Sequence, residues 1–342
     1  MTNLILRPSV WCAFALVAQT FVSNNGPYKL TGNTTLNYVA TAHAYDASNG
    51  RIYSSTRGGI YQFDTATMRV IGRTTNVNGA GSLSLDASRN ELYVLALHSD
   101  VMRVIDLSTR KVVRTFEAPA WFNVFYEEGR GELYYMRGDT KDVRVADRET
   151  GKTLSTFTLG GKPSFLIGDA PRKRLLVRLA DKPVIQVIDT TDHSVTAEWP
   201  ARADGPTAMA MSADGTRVFT TAGRDLVMLD GMSGKELSRV AVGDATYSMV
   251  YDAEAKYVVA LSGPSRANII SITGDEMKIV QSLDTRSLIH ELFLDAKTHR
   301  VLALNRYQDE GLMQDTTAPM SQTVDGSSIL ATSTLLTLSL RK

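Results

Sequence analysis

The sequence predicts an all-β fold: a seven-bladed ring of four-stranded antiparallel sheets, closed by an N-terminal strand set into the last blade. Three observations predict it. One motif recurs about every 41 residues, a second alternates with it, and both consist of short apolar runs of strand period bounded by turn formers.

The first motif is clearest in VMRVIDLSTRKVV, with Asp106 before a polar turn. Its counterparts are YQFDTATMRVIGR with Asp64, VRVADRETGKTLS with Asp147, IQVIDTTDHSVTA with Asp189 and LVMLDGMSGKELS with Asp230, in steps of 42, 41, 42 and 41 residues. A sixth copy, IISITGDEMKIVQ, has Thr273 in place of the Asp, and a seventh, TLLTLSLRK, ends at Lys342. A carboxylate repeated at the head of a turn is expected to accept hydrogen bonds from the backbone N–H groups of that turn, which makes these residues turn devices rather than five catalytic acids.

The second motif reads SLSLDASRNELY, SMVYDAEAKYVV and ELFLDAKTHRVL in three of its copies, again an apolar run, an acidic turn and an apolar run. Each motif is a hairpin, so each unit has four strands, and seven such units form a β-propeller around a channel. The last unit has only three strands of its own. The segment Tyr28 to Gly32, YKLTG, precedes the first full unit and is expected to supply the missing outer strand, which removes the open sheet edges.

Composition narrows the function. Hydrophobic residues make up 43% and charged residues 21%, with a formal net charge of +1, which excludes a strongly basic nucleic-acid binder and an acidic disordered chain. Residues 1–23 contain Arg7, an apolar run from Val10 to Val17 and then small and polar residues. This pattern predicts an export signal followed by a single propeller domain over 24–342, in a periplasmic or secreted protein; the alternative is a buried N-terminal strand or helix. The apolar run is shorter than the roughly 20 residues of a membrane span. The one cysteine, Cys12, lies inside it, so the exported chain would have no thiol chemistry.

The stretches ELYVLALHSDVMRVIDLSTRKVV and RLLVRLADKPVIQVIDTTDHSV resemble the YVTN-type repeat propellers of bacterial exported proteins, and the resemblance covers about residues 28 to 342. It implies architecture rather than one activity, because related propellers are lactonases, quinoprotein subunits, haem-binding domains and plain binding modules. The Gly-His and Trp-Asp signatures of WD repeats are absent.

Function is expected at the channel mouth, where the loops joining second to third strands and blade to blade gather. In the first-strand register containing Ser82, Asn123, Ser248 and Glu291, the large polar groups are Asn123 and Glu291, and these are expected to face the channel. Trp121, Phe122, Lys162, Tyr247 and His290 fall toward the mouth and offer aromatic area and charge to a ligand; equally, Trp121 and Phe122 would plug the channel. The second-to-third-strand loops carry Arg57, Arg137 with Lys141, Lys182, Arg224, Arg266 and Arg306, an arrangement that suits an anion unless Asp100, Asp139 and Asp181 neutralise it. Asn305 to Ser328 is a long insertion in the last such loop, expected to act as a lid over the mouth, to carry a partner contact or to be disordered.

Catalytic signatures are sparse. No G-x-S-x-G elbow occurs, and the five His residues form no H-E-x-x-H or i, i+4 pair, so no metal site and no cofactor is assigned. His43 and His290 lie on the inner strands of blades one and seven, neighbours in a closed ring. With Glu291 they suit either a metal ion or a general acid and base, although His43 falls in the register that packs between blades. The sequence therefore supports a small ligand, possibly anionic, or a protein partner bound at the mouth. The alternative is a lactonase-, lyase- or isomerase-type enzyme using His290 and Glu291.

Overall fold

A computed structural model describes residues 25–36, 40–56, 58–77, 79–96, 100–118, 123–137, 139–202, 208–263, 265–285, 289–304, 321–324, 327–330 and 333–341. Segment 1–23 and Trp121, Phe122, Arg57 and Arg306 lie outside the described residues.

Seven four-stranded antiparallel sheets form the ring. Blades one to six are sequential meanders whose inner strands are Ala40–Asp46, Ala80–Asp86, Asn123–Glu127, Pro163–Asp169, Met209–Met211 and Thr246–Asp252. Blade seven takes its three inner strands from Glu291–Asp295, Arg300–Leu304 and Ser333–Leu340, and its outer strand is Tyr28–Leu36. That strand pairs antiparallel with Ser333–Leu340, Tyr28 opposite Leu340 and Leu36 opposite Ser333. The expected closure is therefore present.

Period-two strands bury both faces here, because each blade is covered on either side by its neighbours. The core is accordingly divided into seven apolar clusters, one at each blade junction. The junction of blades seven and one has five buried residues in its cluster, Ile52, Phe63, Leu302, Leu304 and Leu335, whereas the other six have nine to twelve each. The ring thus closes at the junction with the smallest apolar cluster among the described residues, and polar contacts assist it there.

A separate polar contact, at the junction of blades six and seven, fixes the closing strand to blade six. The Gln281 carboxamide accepts from Tyr28 N–H at 2.9 Å and donates to Tyr28 C=O at 2.8 Å, both buried. Tyr28 also packs edge-on against Tyr257, with ring centroids 6.0 Å apart.

The repeated Asp is a turn residue, as its spacing predicts. Asp106 Oδ1 accepts from Ser108 N–H and Thr109 N–H, each at 2.8 Å, and Asp147 Oδ1 accepts from Glu149 N–H at 3.2 Å and Thr150 N–H at 2.8 Å. Asp64 and Asp230 repeat the arrangement with Thr67 and Ser233. A β-bulge follows in the pairing of third and fourth strands of blades one to six, for example between Val104 and Ile105, and increases the local twist.

The insertion after Leu304 contains a two-stranded hairpin of its own, Ser321–Val324 paired with Ser327–Leu330, separate from the blades. Residues 305–320 lie outside the described residues.

Candidate functional site at the channel mouth

Blade-to-blade connections run beside the second-to-third-strand loops. Ala201 N–H donates to Pro183 C=O, Val242 N–H to Arg224 C=O, and Thr285 N–H to Ser265 C=O. These backbone bonds gather Lys182, Arg224 and Arg266 on the face where the inner strands begin.

The inner-strand register expected to face the channel also reaches sideways to the next blade. Val124 N–H of blade three donates to Ser82 Oγ of blade two at 3.2 Å, and Leu292 N–H of blade seven donates to Ser248 Oγ of blade six at 3.1 Å. An inner strand is a sheet edge with unpaired backbone groups, and these hydroxyls satisfy some of them. Glu291 stands in the same register in blade seven. Its Oε2 lies 2.6 Å from Nδ1 of His43, the residue of blade one that corresponds to Val124 and Leu292. The His43 side chain is fully buried, while that of Glu291 is 25% exposed. His43 Nε2 is buried and has no hydrogen-bond partner among the described residues. The structure thus unites Glu291 with His43; His290, half-buried, is anchored by its backbone N–H to Leu304 C=O at 2.9 Å.

Across the ring, Asn123 is exposed at the edge of a groove of about 200 Å³ between blades three and four, floored by Phe125, Met136, Pro163 and Phe165. Lys162, next to Pro163, is exposed, with its backbone N–H bound to Asp181 Oδ1 at 2.7 Å. Tyr247 is 44% exposed at the start of the inner strand of blade six. Asn123, Lys162 and Tyr247 are therefore open to solvent.

The basic loops divide into two kinds. Arg137 is closed by a bidentate pair with Asp139, at 2.8 and 2.6 Å, and this guanidinium holds the Asp139 carboxyl below its usual range. The side chains of Lys141, Lys182, Arg224 and Arg266, on blades three to six, make no hydrogen bond or ion pair with a described residue. Nearby acids are directed elsewhere: Asp142 accepts from Thr158 Oγ1, Asp181 from Lys162 N–H and Asp244 from Ala245 N–H. Among the described residues, the mouth presents cations without a hydrogen-bonded or ion-paired partner on four consecutive blades.

Among the described residues, no group of three or more His, Cys, Asp or Glu side chains is placed to hold a metal ion, and no helix is long and apolar enough to cross a membrane.

No family model and no curated protein sequence matches the chain. Among solved structures, a chain in the crystal structure of the mitotic checkpoint complex, a WD40-type propeller, is similar at 12% identity with a TM-score of 0.68, covering 88% of this chain and 96% of the other. At that identity the likeness shows the fold alone.

Proposed function

We propose that the chain is an exported propeller of the YVTN-repeat kind, a non-catalytic scaffold that binds an acidic partner at its channel mouth. Seven blades without a clustered catalytic motif are a frame for protein or ligand binding. The observation that carries the acidic partner is the arc of Lys141, Lys182, Arg224 and Arg266, whose charges have no counter-ion among the described residues. Such a field favours carboxylates and raises their encounter rate. Tyr247 and the groove beside Asn123 add area that a bare charged rim lacks. Export rests on the Arg7 and Val10 to Val17 pattern.

The test is titration of the whole protein with a hexaglutamate peptide. Binding that weakens with added salt and is lost in the Lys182→Gln, Arg224→Gln, Arg266→Gln variant supports the reading; equal binding by that variant refutes it.

A second reading, an enzyme working through Glu291 with His43 in place of the expected His290, is favoured by one observation. Glu291 orients a buried imidazole whose Nε2 is left without a partner, a carboxylate–imidazole pair like those that serve general acid–base chemistry. Turnover of a lactone panel that is abolished by Glu291→Gln but kept by the Lys182, Arg224, Arg266 variant would favour it over the scaffold.

A further inference from the structure

On the face opposite the mouth, where turns follow the inner strands and join third to fourth strands, the junction of blades one and two opens into a cleft of about 520 Å³. The next junction shows what normally fills this place. Between blades two and three, Arg114 donates to both oxygens of Glu91, Nη1 at 2.9 Å and Nη2 at 2.6 Å, beside the buried ring of Phe116. The strand registers locate the counterparts in blade one. Arg51 pairs with Asp64 as Glu91 does with Asp106, so an arginine stands where the glutamate was. Gly72 stands in place of Arg114, and Thr74 in place of Phe116. The carboxylate, its arginine and the aromatic ring are all missing from the first junction.

What remains is three donor side chains, of which Arg51 and Gln62 have no well-formed hydrogen bond among the described residues. The Arg51 side chain makes no hydrogen bond with a described residue, and its Nε is buried. Gln62 lies on the third strand, where blades two to five have Val104, Val145, Val187 and Met228, all buried. It is only 5% exposed, and its Nε2 makes no well-formed hydrogen bond with a described residue, its electrostatic partner being the Tyr53 hydroxyl. Arg110 reaches in from the turn of blade two, its Nη1 bonded to Ile71 C=O at 3.2 Å. It holds φ +58°, a left-handed conformation that the equivalent turns of blades three and five assign to Gly151 and Gly234. A Cβ placed on Gly72 would lie 2.5 Å from Arg110 Nη1 and 3.1 Å from Gln62 Oε1, so both heads converge above that glycine. Of the acids closest in sequence, Asp46 spends both oxygens on its own turn and Asp64 and Asp106 spend Oδ1 there, while Asp64 acts on Arg51 through its charge without a hydrogen bond.

We propose that this cleft binds a small carboxylate, with Arg51, Arg110 and Gln62 as its donors. Guanidinium and primary amide groups match the planar, bidentate carboxylate, and the neighbouring junction holds a carboxylate, that of Glu91, in the corresponding position. The volume is that of a small-molecule site. The proposal is independent of the mouth, which lies on the other face.

Isothermal titration of the whole protein with succinate, citrate and inorganic phosphate tests it. Saturable binding of succinate or citrate is expected, weakened about tenfold or more by Arg51→Gln, by Gln62→Val and by the exposed-turn variant Arg110→Ala. The Lys182, Arg224, Arg266 mouth variant keeps this binding. Gln62→Val is further expected to raise the melting temperature without ligand, because it restores the apolar residue of the other blades. Phosphate binding in place of both carboxylates, no saturable binding at all, or binding unchanged in Arg110→Ala and Gln62→Val overturns the proposal.

Discussion

Glu291, at the start of the inner strand of blade seven, places Oε2 2.6 Å from Nδ1 of His43 on the inner strand of blade one, across the junction where the ring closes. This is the junction with the smallest apolar cluster, so the pair reinforces the place where the other blades depend on more extensive packing.

Removing the carboxylate should therefore be felt as stability. Glu291→Ala leaves a buried imidazole nitrogen without its partner, at an expected cost of roughly 1–3 kcal/mol. The double variant His43→Leu, Glu291→Ala should recover part of that loss, because no buried polar group is then stranded. Denaturant unfolding of the wild type, both single variants and the double variant closes the cycle. Strictly additive losses would show that the two side chains act separately.

The closing strand gives a second prediction. Gln281→Leu breaks two buried bonds to the Tyr28 backbone, and the expected destabilisation is about 2–3 kcal/mol with increased proteolysis before residue 40. Limited proteolysis with mass mapping reads it. A variant as resistant as the wild type would remove Gln281 from the closure.

His299 links blade seven to blade six and should make stability depend on neutral pH. Its Nδ1 lies 2.8 Å from Asp252 Oδ2, and this bond raises the imidazole pKa above its ordinary 6.5. A raised folded value means that the contribution is complete below about pH 6.5 and fades as pH rises through the folded pKa. The advantage of wild type over His299→Gln in thermal melts should be larger at pH 6 than at pH 9; a constant difference would contradict the link.

Acid acts through the turns. Asp214 accepts from Ser212 Oγ, Thr216 N–H and Thr216 Oγ1, and these bonds, led by that of Ser212, bring its pKa down from 3.8 to about 2. A depressed folded value means that the contribution is present above about pH 4 and lost as pH falls toward 2. Melting curves of Asp214→Asn and wild type should converge across that window. Parallel curves from neutral pH down to pH 2 would show that Asp214 does not titrate with folding.

The blade count, the closing strand and the role of Asp106 were legible because each follows from a local pattern repeated at a fixed step. The His43–Glu291 pair was less so. It depends on the lateral offset by which one inner strand's register meets the next residue position in the following blade, and a single strand does not encode that offset. Ser82 with Val124 and Ser248 with Leu292 follow the same offset, so the rule emerges once two blades are seen together. The cleft at Arg51 and Gln62 had a signal in the sequence, a glutamine among Val104, Val145 and Val187, but its meaning depends on which side chains of the next blade stand opposite it. The basic loops were legible as charges, whereas the closure of Arg137 by Asp139 and the openness of Arg224 depend on side-chain directions.

Binding of an acidic partner at the channel mouth is tested by hydrogen-exchange mapping of the protein with and without hexaglutamate peptide. Slowed exchange is expected in the loops around Lys182, Arg224 and Arg266 and at Tyr247, reversed by salt. Protection confined to the opposite face, or none at saturating peptide, would contradict it.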